Sequence, residues 1–398
     1  MNKTDNYKTI TQCRICGTVV SKLLDLNNQP LANNFHNNEL QEEYPLKLML
    51  CSKCFHTQLS VVVEPTILFK NYIYVSGTSQ TLINYFKWFV KKIINITSVT
   101  NGSVLEIACN DCSLLNIFKN NNWDTWGVDP AENIYHYTKN SEHNIICDYW
   151  SKIVATKINK CFDVIVAQNV FAHIHDVDDF IEGCKQCMNN NSLLFIQTSQ
   201  CNMFKNNEFD TIYHEHLSFF SVKSMKYILN KHNLYILDIL FPKIHGTSYL
   251  FVISKNKTNK VNKYYNIEQQ EQRYNIEFYK KYSKYCYNIV KLTTKLTNLM
   301  KDYSIVGFGA AAKANTFLNF TKFNLSYIID ENPAKQGLYS PGMNIPIYGM
   351  DKLKNDKRKL CIVILAWNFK DEIIKKIKIS RPDYLDKYVV FYPQYEIL

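Results

Sequence analysis

The chain has 398 residues, which at about 100–200 residues per domain predicts two to four domains. Hydrophobic residues make up 46% and charged residues 20%, so the composition excludes a disordered chain. The formal net charge of +11 is compatible with nucleic acid, anionic lipid or phosphorylated small molecules as partners. The thirteen cysteines, an odd number, argue against a secreted disulfide framework and predict a reducing, cytoplasmic location. No apolar stretch reaches the ~20 residues that span a bilayer, so we expect no transmembrane segment.

Two Cys-x-x-Cys motifs lie near the start of the chain. They are Cys13-Arg-Ile-Cys16, which Gly17 follows, and Cys51-Ser-Lys-Cys54. Each motif presents two thiolates from one tight turn, and four thiolates complete a tetrahedral Zn²⁺ site that leaves no position for a substrate. The sequence therefore predicts one structural zinc; the alternative is a set of four unrelated buried thiols.

From about residue 80 the sequence alternates between short apolar runs and helical segments. The predicted strands are Ser103–Ala108, Thr125–Asp129, Asn144–Cys147, Phe162–Ala167 and Ser192–Thr198. This alternation predicts a parallel, doubly wound sheet. Ligands bind such sheets at the carboxyl ends of the strands, so the polar residues there are candidates for cofactor binding.

Acidic and amide side chains occupy those strand ends. The candidates are Glu106, Asn110, Asp111, Asp129, Asp148 and Asn169. The first loop, Ala108-Cys-Asn-Asp-Cys112, has no glycine, whereas dinucleotide phosphates are bound by glycine-rich loops. Class I methyltransferases use carboxylates here, because S-adenosylmethionine carries a sulfonium, an ammonium and two ribose hydroxyls. We therefore predict S-adenosylmethionine as the cofactor; a domain whose loops are acidic without a function is the alternative.

Two further regions follow. Apolar residues at three- and four-residue steps predict a long amphipathic helix over Asn262–Met300. A second α/β unit then begins with a strand that leads to Gly309, and Asp330 follows that glycine at the spacing of a dinucleotide fingerprint. Taken alone, this unit suggests an NAD enzyme.

The block Tyr213-His214-Glu215-His216 concentrates four chemically active side chains. Histidine is a base with a pKa near ~6.5, a carboxylate can orient it, and tyrosine can donate to a developing oxyanion. Such a set suits proton abstraction next to a carbonyl. On an extended segment His214 and His216 would share one face, with Tyr213 and Glu215 on the other. The alternatives are a metal site, although the spacing is not His-Glu-x-x-His, and two structural histidines.

Ordered motifs over nearly the whole chain resemble one family. They are Cys13-Arg-Ile-Cys16-Gly17, Pro30-Leu-Ala-Asn33, Cys51-x-x-Cys54, Tyr72-Ile-Tyr74-Val-Ser76, Leu105-Glu-Ile-Ala-Cys-Asn-Asp111, Gly127-Val-Asp-Pro-Ala131, Asn169-Val-Phe-Ala-His173, Tyr213-His-Glu-His216, His245-Gly246, Gly309-Ala-Ala-Ala-Lys313-Ala-Asn315 and Trp367-Asn368-Phe369. On these motifs the chain resembles the nucleotide-sugar C-methyltransferases that build branched deoxysugars, such as those of D-tetronitrose biosynthesis.

The resemblance implies a zinc-binding domain at 1–75, a central class I methyltransferase domain at 76–260, a connecting helix at 261–300 and a C-terminal Rossmann-like domain at 301–398. The cofactors would be S-adenosylmethionine and structural Zn²⁺. The substrate would be a nucleotide-linked keto-deoxysugar, methylated on a carbon beside its keto group. We expect a cytoplasmic monomer with neither a nucleic-acid nor a membrane partner.

Carried over by position, His216 would be the general base, assisted by Tyr213 and Glu215, with Tyr72 or Tyr74 near the sugar. The resemblance places five further residues near the substrate: His173, His214, His245, Lys313 and Asn315. Lys313 and Asn315 follow the Gly309 turn at a helix N-terminus, which suits a diphosphate or a sugar.

The chain departs from the family pattern at two places. The cofactor loop of the family ends in Asn-Asp-Gly, but here Cys112 replaces the glycine, and a His-Gly-Gly-Ser motif becomes His245-Gly246-Thr247-Ser248. We expect a side chain at 112 to crowd the methionine part of the cofactor or to force a negative φ. The alternatives to a sugar C-methyltransferase are a zinc-containing nucleic-acid-binding protein and an NAD-dependent sugar oxidoreductase.

Overall fold

The computed structural model describes residues 6–37, 39–69, 76–78, 80–198, 202–242, 244, 248–257 and 264–398. The predicted site residues Tyr72, Tyr74 and His245 lie outside these ranges. Within them, no helix combines the length and the apolar character needed to cross a membrane.

The N-terminal region consists of short antiparallel strands and one helical turn. Its elements are β1 (Tyr7–Thr9), β2 (Val20–Pro30), β3 (Glu43–Cys51), β4 (Thr57–Leu59), β5 (Val61–Val63) and α1 (Pro65–Phe69). Strands β2, β3 and β4 pair in sequence, and β1 pairs with β5. Leu46, Leu48 and Leu50 alternate along β3 and are buried, because alternate side chains of a strand face the same side.

The central region is a sheet with helices on both faces. Its elements are α2 (Gln80–Thr97), β6 (Ser103–Ile107), α3 (Ser113–Lys119), β7 (Asp124–Val128), α4 (Glu132–Thr138), β8 (Asn144–Ile146), α5 (Lys152–Ile158), β9 (Phe162–Gln168), α6 (Val177–Gln186), β10 (Met188–Thr198), β11 (Ser218–Phe219), α7 (Val222–Lys231), β12 (Tyr235–Leu240) and β13 (Tyr249–Ser254). The strand order is β12-β13-β10-β9-β6-β7-β8, in which β13 runs antiparallel to both of its neighbours. The other pairs are parallel, so the doubly wound sheet and the predicted strands are confirmed.

The single long helix predicted over Asn262–Met300 is wrong in one respect, because the structure has two helices there. They are α8 (Tyr265–Glu271) and α9 (Ile276–Leu299). Asn275 is the reason for the break: its side chain accepts a hydrogen bond from the backbone N–H of Phe278 and caps a new helix. Asn275 adopts an extended conformation, so the helix is interrupted there. The three- and four-residue spacing of the apolar residues continues across this break and therefore does not reveal it.

The C-terminal region is the second α/β unit that the sequence predicts. Its elements are β14 (Ser304–Phe308), α10 (Ala312–Thr321), β15 (Ile328–Ile329), β16 (Ile347–Tyr348), α11 (Met350–Asn355), β17 (Leu360–Ile364), α12 (Lys370–Ser380), β18 (Lys387–Val390) and β19 (Glu396–Ile397). The strand order is β16-β15-β14-β17-β18-β19. Among the described strands of this sheet, only β18 and β19 pair antiparallel.

Strand β11 connects the central region to the N-terminal one. It pairs antiparallel with β4, with Ser218 opposite Gln58 and Phe219 opposite Thr57. The backbone N–H of Leu59 also donates to the carbonyl of Leu217 at 3.0 Å. The Tyr213–His216 block therefore lies one residue before a strand that belongs to the sheet of the cysteine-containing domain.

Candidate active site

The four N-terminal cysteines converge on one point. Their sulfur atoms all lie within 4.8 Å of one another, with Cys13 and Cys54 at 3.5 Å and Cys16 and Cys51 at 3.4 Å. Tetrahedral Zn²⁺ bound by sulfur at about 2.3 Å needs sulfur–sulfur separations close to these. The hydrogen bond between Cys13 and Cys54 lowers the pKa of the Cys13 thiol to about 5 and raises that of the Cys54 thiol, which favours a thiolate at Cys13 and leaves the shared proton for a metal to displace. The donor set fits the predicted structural zinc.

The loop at 108–112 follows the first strand of the central sheet and has an unusual backbone. Three residues that are not glycine have positive φ: Ala108 at 62°, Asn110 at 47° and Cys112 at 62°. The expectation that a cysteine at 112 forces φ below zero is therefore wrong. The chain adopts a left-handed conformation at the position where the family pattern has glycine, although a side chain there costs about 1–2 kcal/mol.

Asp129, at the end of β7, holds this loop in place. Its Oδ2 accepts the backbone N–H of Asn110 at 2.8 Å, and its Oδ1 accepts that of Ala131 at 2.9 Å. Glu106 lies beneath the same loop at 5% exposure, and its Oε2 has no hydrogen-bond partner among the described residues. Both carboxyl groups lie close together in a dry part of the fold.

Burial raises the pKa of Glu106 well above its ordinary value, and the carboxylates of Asp111 and Asp129 add to that shift. Burial also raises the pKa of Asp129. A cation bound here would reverse both shifts, because it stabilises the ionised form. An acidic pocket with an orphaned buried oxygen fits a cofactor that carries a sulfonium and an ammonium.

The side chains of Asn110 and Asp111 point out of the loop towards a short segment. Asn110 Oδ1 accepts the backbone N–H of Ser76 at 3.0 Å, and Asp111 Oδ2 accepts that of Gly77 at 2.7 Å. Ser76, the last residue of the Tyr72-Ile-Tyr74-Val-Ser76 motif, and Gly77 are thus held against the cofactor loop through their backbone N–H groups. A cavity of about 370 Å³ opens on the other side of the loop, where Asp111 and Cys112 form part of its wall.

The remaining cofactor candidates lie at the ends of β8 and β9. Asn169 has a positive φ of 54°, and its Oδ1 accepts a hydrogen bond from Gln197 at 3.4 Å. Asp148 is half-exposed and lies 3.6 Å from the Lys157 ammonium. Both residues stand at the strand ends where the sequence predicts them.

The segment 209–216, here called the active-site turn, carries the predicted base. The backbone N–H of His216 donates to the carbonyl of Tyr213 at 2.9 Å, which closes a tight turn. This turn brings the two side chains together, with the Tyr213 hydroxyl 3.0 Å from His216 Nε2. The prediction that Tyr213 and His216 lie on opposite faces is therefore wrong, because it assumed an extended chain.

The carbonyl of Thr211 determines the tautomer of His216. His216 Nδ1 lies 2.8 Å from that oxygen, which can only accept, so Nδ1 carries the proton. In the neutral ring Nε2 is then an acceptor, and the Tyr213 hydroxyl lies 3.0 Å from it. The backbone bond at Nδ1 thus fixes which nitrogen of the ring can take up a proton.

Two further titratable groups lie close to His216. The ring of His173 is 5.1 Å from the His216 ring between centroids, and burial lowers the pKa of His173 to about 4, so it is neutral near pH 7. Burial raises the pKa of Glu215 to about 7, and Asn33 of the N-terminal region donates to its Oε1 at 2.6 Å. Glu215 is therefore partly protonated at neutral pH and can supply a proton as well as accept one.

His214 occupies a different environment from the one predicted for it. It is only 2% exposed, and its Nε2 lies 3.3 Å from the carbonyl of Tyr44 in β3. Burial lowers its pKa to about 4. The turn directs this ring towards the N-terminal sheet, where it joins two regions, and its role in binding substrate stays a prediction.

Lys313 and Asn315 have partners within the chain, and their role in binding substrate stays a prediction. Asn315 is fully buried, and its Nδ2 donates to the carbonyl of Ala32 at 2.7 Å. The Lys313 ammonium lies 4.0 Å from the buried Glu208 carboxyl and 4.8 Å from the centre of the Trp367 ring. Lys313 thus has a carboxyl partner within the chain. Its position near the start of α10 is the one that the sequence predicts.

Sequence reasoning missed two groups that act on the site. Asn33, which contacts Glu215, stands inside the quoted Pro30-Leu-Ala-Asn33 motif, and that motif was the signal available for it. Thr211 acts through its backbone carbonyl, which any residue would supply, so no sequence signal could have identified it.

Comparison with known proteins agrees with this arrangement. Residues 13–69 match a model described as a putative zinc binding domain, residues 88–239 a methyltransferase domain, and residues 243–391 a C-methyltransferase C-terminal domain. The chain is 25% identical to the C-methyltransferase NovU of Streptomyces niveus, with 94% of each chain covered.

Two solved structures each cover less than half of this chain. The PH0226 protein of Pyrococcus horikoshii is 12% identical and covers 48% of this chain and 98% of its own length, with a TM-score of 0.38. An S-adenosylmethionine-dependent methyltransferase of Clostridium acetobutylicum is also 12% identical and covers 43% and 91%, with a TM-score of 0.35. The assignment rests instead on the three domain matches, the relative that spans the chain and the four-cysteine cluster. The predicted resemblance is confirmed, and the chain is an S-adenosylmethionine-dependent C-methyltransferase with an N-terminal zinc-binding domain.

Proposed function

We propose that the enzyme methylates a carbon next to the keto group of a nucleotide-linked keto-deoxysugar, with His216 as the general base. One observation carries this proposal: the Thr211 carbonyl holds the Nδ1 proton of His216, so that Nε2 is left as the proton acceptor. Carbon is a poor nucleophile until it is deprotonated, and a neighbouring ketone supplies the necessary acidity. A buried base with a fixed tautomer suits that demand.

The groups around His216 fit proton abstraction. The Tyr213 hydroxyl lies 3.0 Å from Nε2, so it can donate to the oxyanion that forms on a ketone bound beside this pair. Glu215, with its pKa raised to about 7, can do the same in its protonated form. His173 stays neutral beside His216 and therefore does not repel the positive charge that His216 acquires.

The bond changes balance without a further reactant. His216 takes the proton from the carbon beside the ketone, and the electron pair of that C–H bond becomes the enolate. When bound, S-adenosylmethionine supplies an electrophilic methyl group, and a C–C bond forms as the S–CH₃ bond breaks. The proton remains on His216 until solvent removes it. The acidic residues Glu106, Asp111 and Asp129 would hold the cofactor, which suits its positive charge.

The test uses the full chain with S-adenosylmethionine and a dTDP-4-keto-6-deoxysugar in deuterated water. We expect methyl transfer, and we expect His216→Asn to reduce it about 10³-fold, which is the scale of a lost general base. His136→Asn makes the same change at an exposed histidine and should leave the rate unaltered.

Two results would contradict the proposal in different ways. Unchanged turnover of His216→Asn would remove the assigned base. Cofactor binding without transfer to any keto-deoxysugar would remove the substrate class while leaving the methyltransferase assignment intact.

A further inference from the structure

The C-terminal domain contacts the active-site turn on both sides of the group that orients His216. That group is the carbonyl of Thr211. On one side, the Trp367 indole Nε1–H donates to Asp210 Oδ2 at 2.8 Å. On the other side, the Thr316 hydroxyl donates to the carbonyl of Ile212 at 3.2 Å. The residues directly before and directly after Thr211 are thus each fixed to the same domain.

The turn side of one bond and the helix side of the other are buried: Asp210 is 2% exposed and Thr316 is 1% exposed, while Trp367 is half-buried. Losing one partner of a buried hydrogen bond leaves the other unsatisfied, and such a loss is more costly than one at the surface. The two bonds therefore restrain the backbone around Thr211 far more firmly than exposed contacts would.

Aromatic packing holds the start of the turn in the same way. Phe209 is fully buried, and its ring meets that of Phe320 edge to face at 5.0 Å between centroids. Phe317 lies parallel to it at 6.1 Å. Both partners belong to α10, the helix that also carries Thr316, so the turn begins inside the core of the C-terminal domain.

If the Trp367 and Thr316 bonds only held two regions together, they would not have to flank the carbonyl of Thr211. Asn315, in the same helix, bonds the carbonyl of Ala32 and so joins α10 to the N-terminal region rather than to the backbone around Thr211. The Trp367 and Thr316 bonds differ because they flank the one carbonyl that accepts the Nδ1 proton of His216. A shift of the 210–212 backbone would move that oxygen and release the tautomer.

From this geometry we infer that Trp367 and Thr316 are positioning residues for the methyl transfer: they hold the Thr211 carbonyl and thereby keep the Nδ1–H tautomer of His216. The C-terminal domain then contributes to the proton-transfer step itself. The catalytic meaning of this inference rests on the proposed function, whereas the tautomer can be measured without any substrate.

The experiment compares Thr316→Val with Thr321→Val. Both threonines are buried in α10, but the Thr321 hydroxyl bonds the carbonyl of Phe317 in its own helix. Thr316→Val therefore removes the link to the turn, and Thr321→Val removes a hydroxyl of equal size that has no such link. Trp367→Phe removes the second link and keeps an aromatic ring, and Thr316→Ser restores a hydroxyl.

The first readout is the ¹⁵N spectrum of the histidine rings, in which the His216 signals are assigned by their absence in His216→Asn. The wild type should show an unprotonated Nε2. In Thr316→Val and Trp367→Phe we expect a mixture of the two neutral tautomers, and in Thr321→Val and Thr316→Ser we expect the wild-type spectrum.

The second readout is steady-state kinetics with the keto-deoxysugar. We expect kcat to fall about tenfold in Thr316→Val and in Trp367→Phe with KM changed less than about twofold, since a misplaced base slows the chemical step more than it weakens binding. A folded Thr316→Val or Trp367→Phe with an unchanged His216 spectrum overturns the inference. Altered spectra without any sugar methylation would uphold it and count against the proposed function alone.

Discussion

The two α/β regions of the chain build their first loops on one plan and then use them differently. In the central region the backbone N–H of Ala108 donates to the carbonyl of Val128 at 2.7 Å, and in the C-terminal region that of Gly309 donates to the carbonyl of Ile329, also at 2.7 Å. Both strand-end residues have positive φ, 62° for Ala108 and 98° for Gly309.

An aspartate closes each loop in the same manner. Asp129 accepts one N–H from the first loop and one from its own loop, as described above. Asp330 accepts the N–H of Ala310 at 2.7 Å and that of Asn332 at 2.9 Å. The two carboxylates therefore perform equivalent backbone roles at the ends of equivalent strands.

The difference is the charge beside each aspartate. The Lys335 ammonium lies 3.7 Å from Asp330 and donates to the carbonyl of Ala310 at 2.7 Å, so a lysine of the chain itself fills the C-terminal corner. Among the described residues no cation pairs with Asp129, whose neighbours include the carboxyl of Glu106. The same backbone arrangement thus forms an acidic pocket that suits a cationic ligand in the central region and, in the C-terminal region, a corner where Lys335 neutralises the aspartate. The Gly309 and Asp330 that match the spacing of a dinucleotide fingerprint both lie in this C-terminal corner.

The largest expected effect is the difference in S-adenosylmethionine affinity between Asp129→Asn and Asp330→Asn, which tests whether the two corners differ in function. Asp129→Asn removes the negative charge and one of two acceptors, and we expect S-adenosylmethionine to bind about a hundredfold more weakly. Asp330→Asn makes the same change beside Lys335 and should alter that affinity less than about twofold. Isothermal titration calorimetry measures both, and equal losses would mean that the two corners are not functionally distinct.

Removal of the internal cation should have the next largest effect. In Lys335→Met the Asp330 carboxylate and the Ala310 carbonyl lose their shared donor in a half-buried corner, so we expect the free energy of unfolding to fall by about 2 kcal/mol. Lys354→Met makes the same change in an exposed pair with Asp351 and should cost about 0.5 kcal/mol or less. Urea unfolding of the two variants measures the difference. Cofactor affinity should stay constant in both.

The pH dependence of cofactor binding should be a smaller effect and should arise in the central corner, from Glu106. Burial raises the pKa of Glu106 in the folded chain, so the free protein holds a proton there at pH values where an unfolded chain does not. Its contribution to stability is greatest below about pH 4.5 and declines as the pH rises towards the folded-state pKa.

A bound cation favours the ionised form of Glu106, so cofactor affinity should rise with pH, by at most about tenfold per pH unit, and binding should release protons. Calorimetry in buffers of different ionisation enthalpy counts those protons. Glu106→Gln should flatten the dependence, and a release that persists in this variant would assign the proton to another group.

Local chemistry and periodicity predicted most of the fold from the sequence. The strand-end acids and the four cysteines that converge on one point are side chains whose type and spacing indicate their chemistry. The role of His216 as the base comes from the family resemblance and stays a prediction. The break at Asn275 was missed, because the apolar residues of α8 and α9 keep a helical period across it.

Orientation could not be predicted in the same way. The faces of Tyr213 and His216 depend on a turn closed by a backbone hydrogen bond, and the burial of His214 and Asn315 depends on a neighbouring region that sequence spacing does not place. The electrostatic role of Lys313 likewise depends on Glu208, more than a hundred residues away in the chain. Tertiary contact decides these roles, so a residue's type alone does not.

The smallest effect concerns the strain stored in the central loop. Cys112 holds φ at 62° with its side chain buried, and it occupies the place where the family has glycine. Cys112→Ala keeps a Cβ in the left-handed conformation and loses the buried sulfur, whereas Cys112→Gly loses the sulfur and also the strain. Because the two variants lose the same sulfur, their difference reports the effect of the Cβ at this position: the strain it causes, set against its burial and the lower entropy it gives the unfolded chain. We expect the glycine variant to be more stable than the alanine variant by about 1 kcal/mol, as measured by urea unfolding. If alanine were the more stable of the two, the loop would not be strained at this position, and the contrast with the glycine of the C-terminal loop would lose its conformational basis.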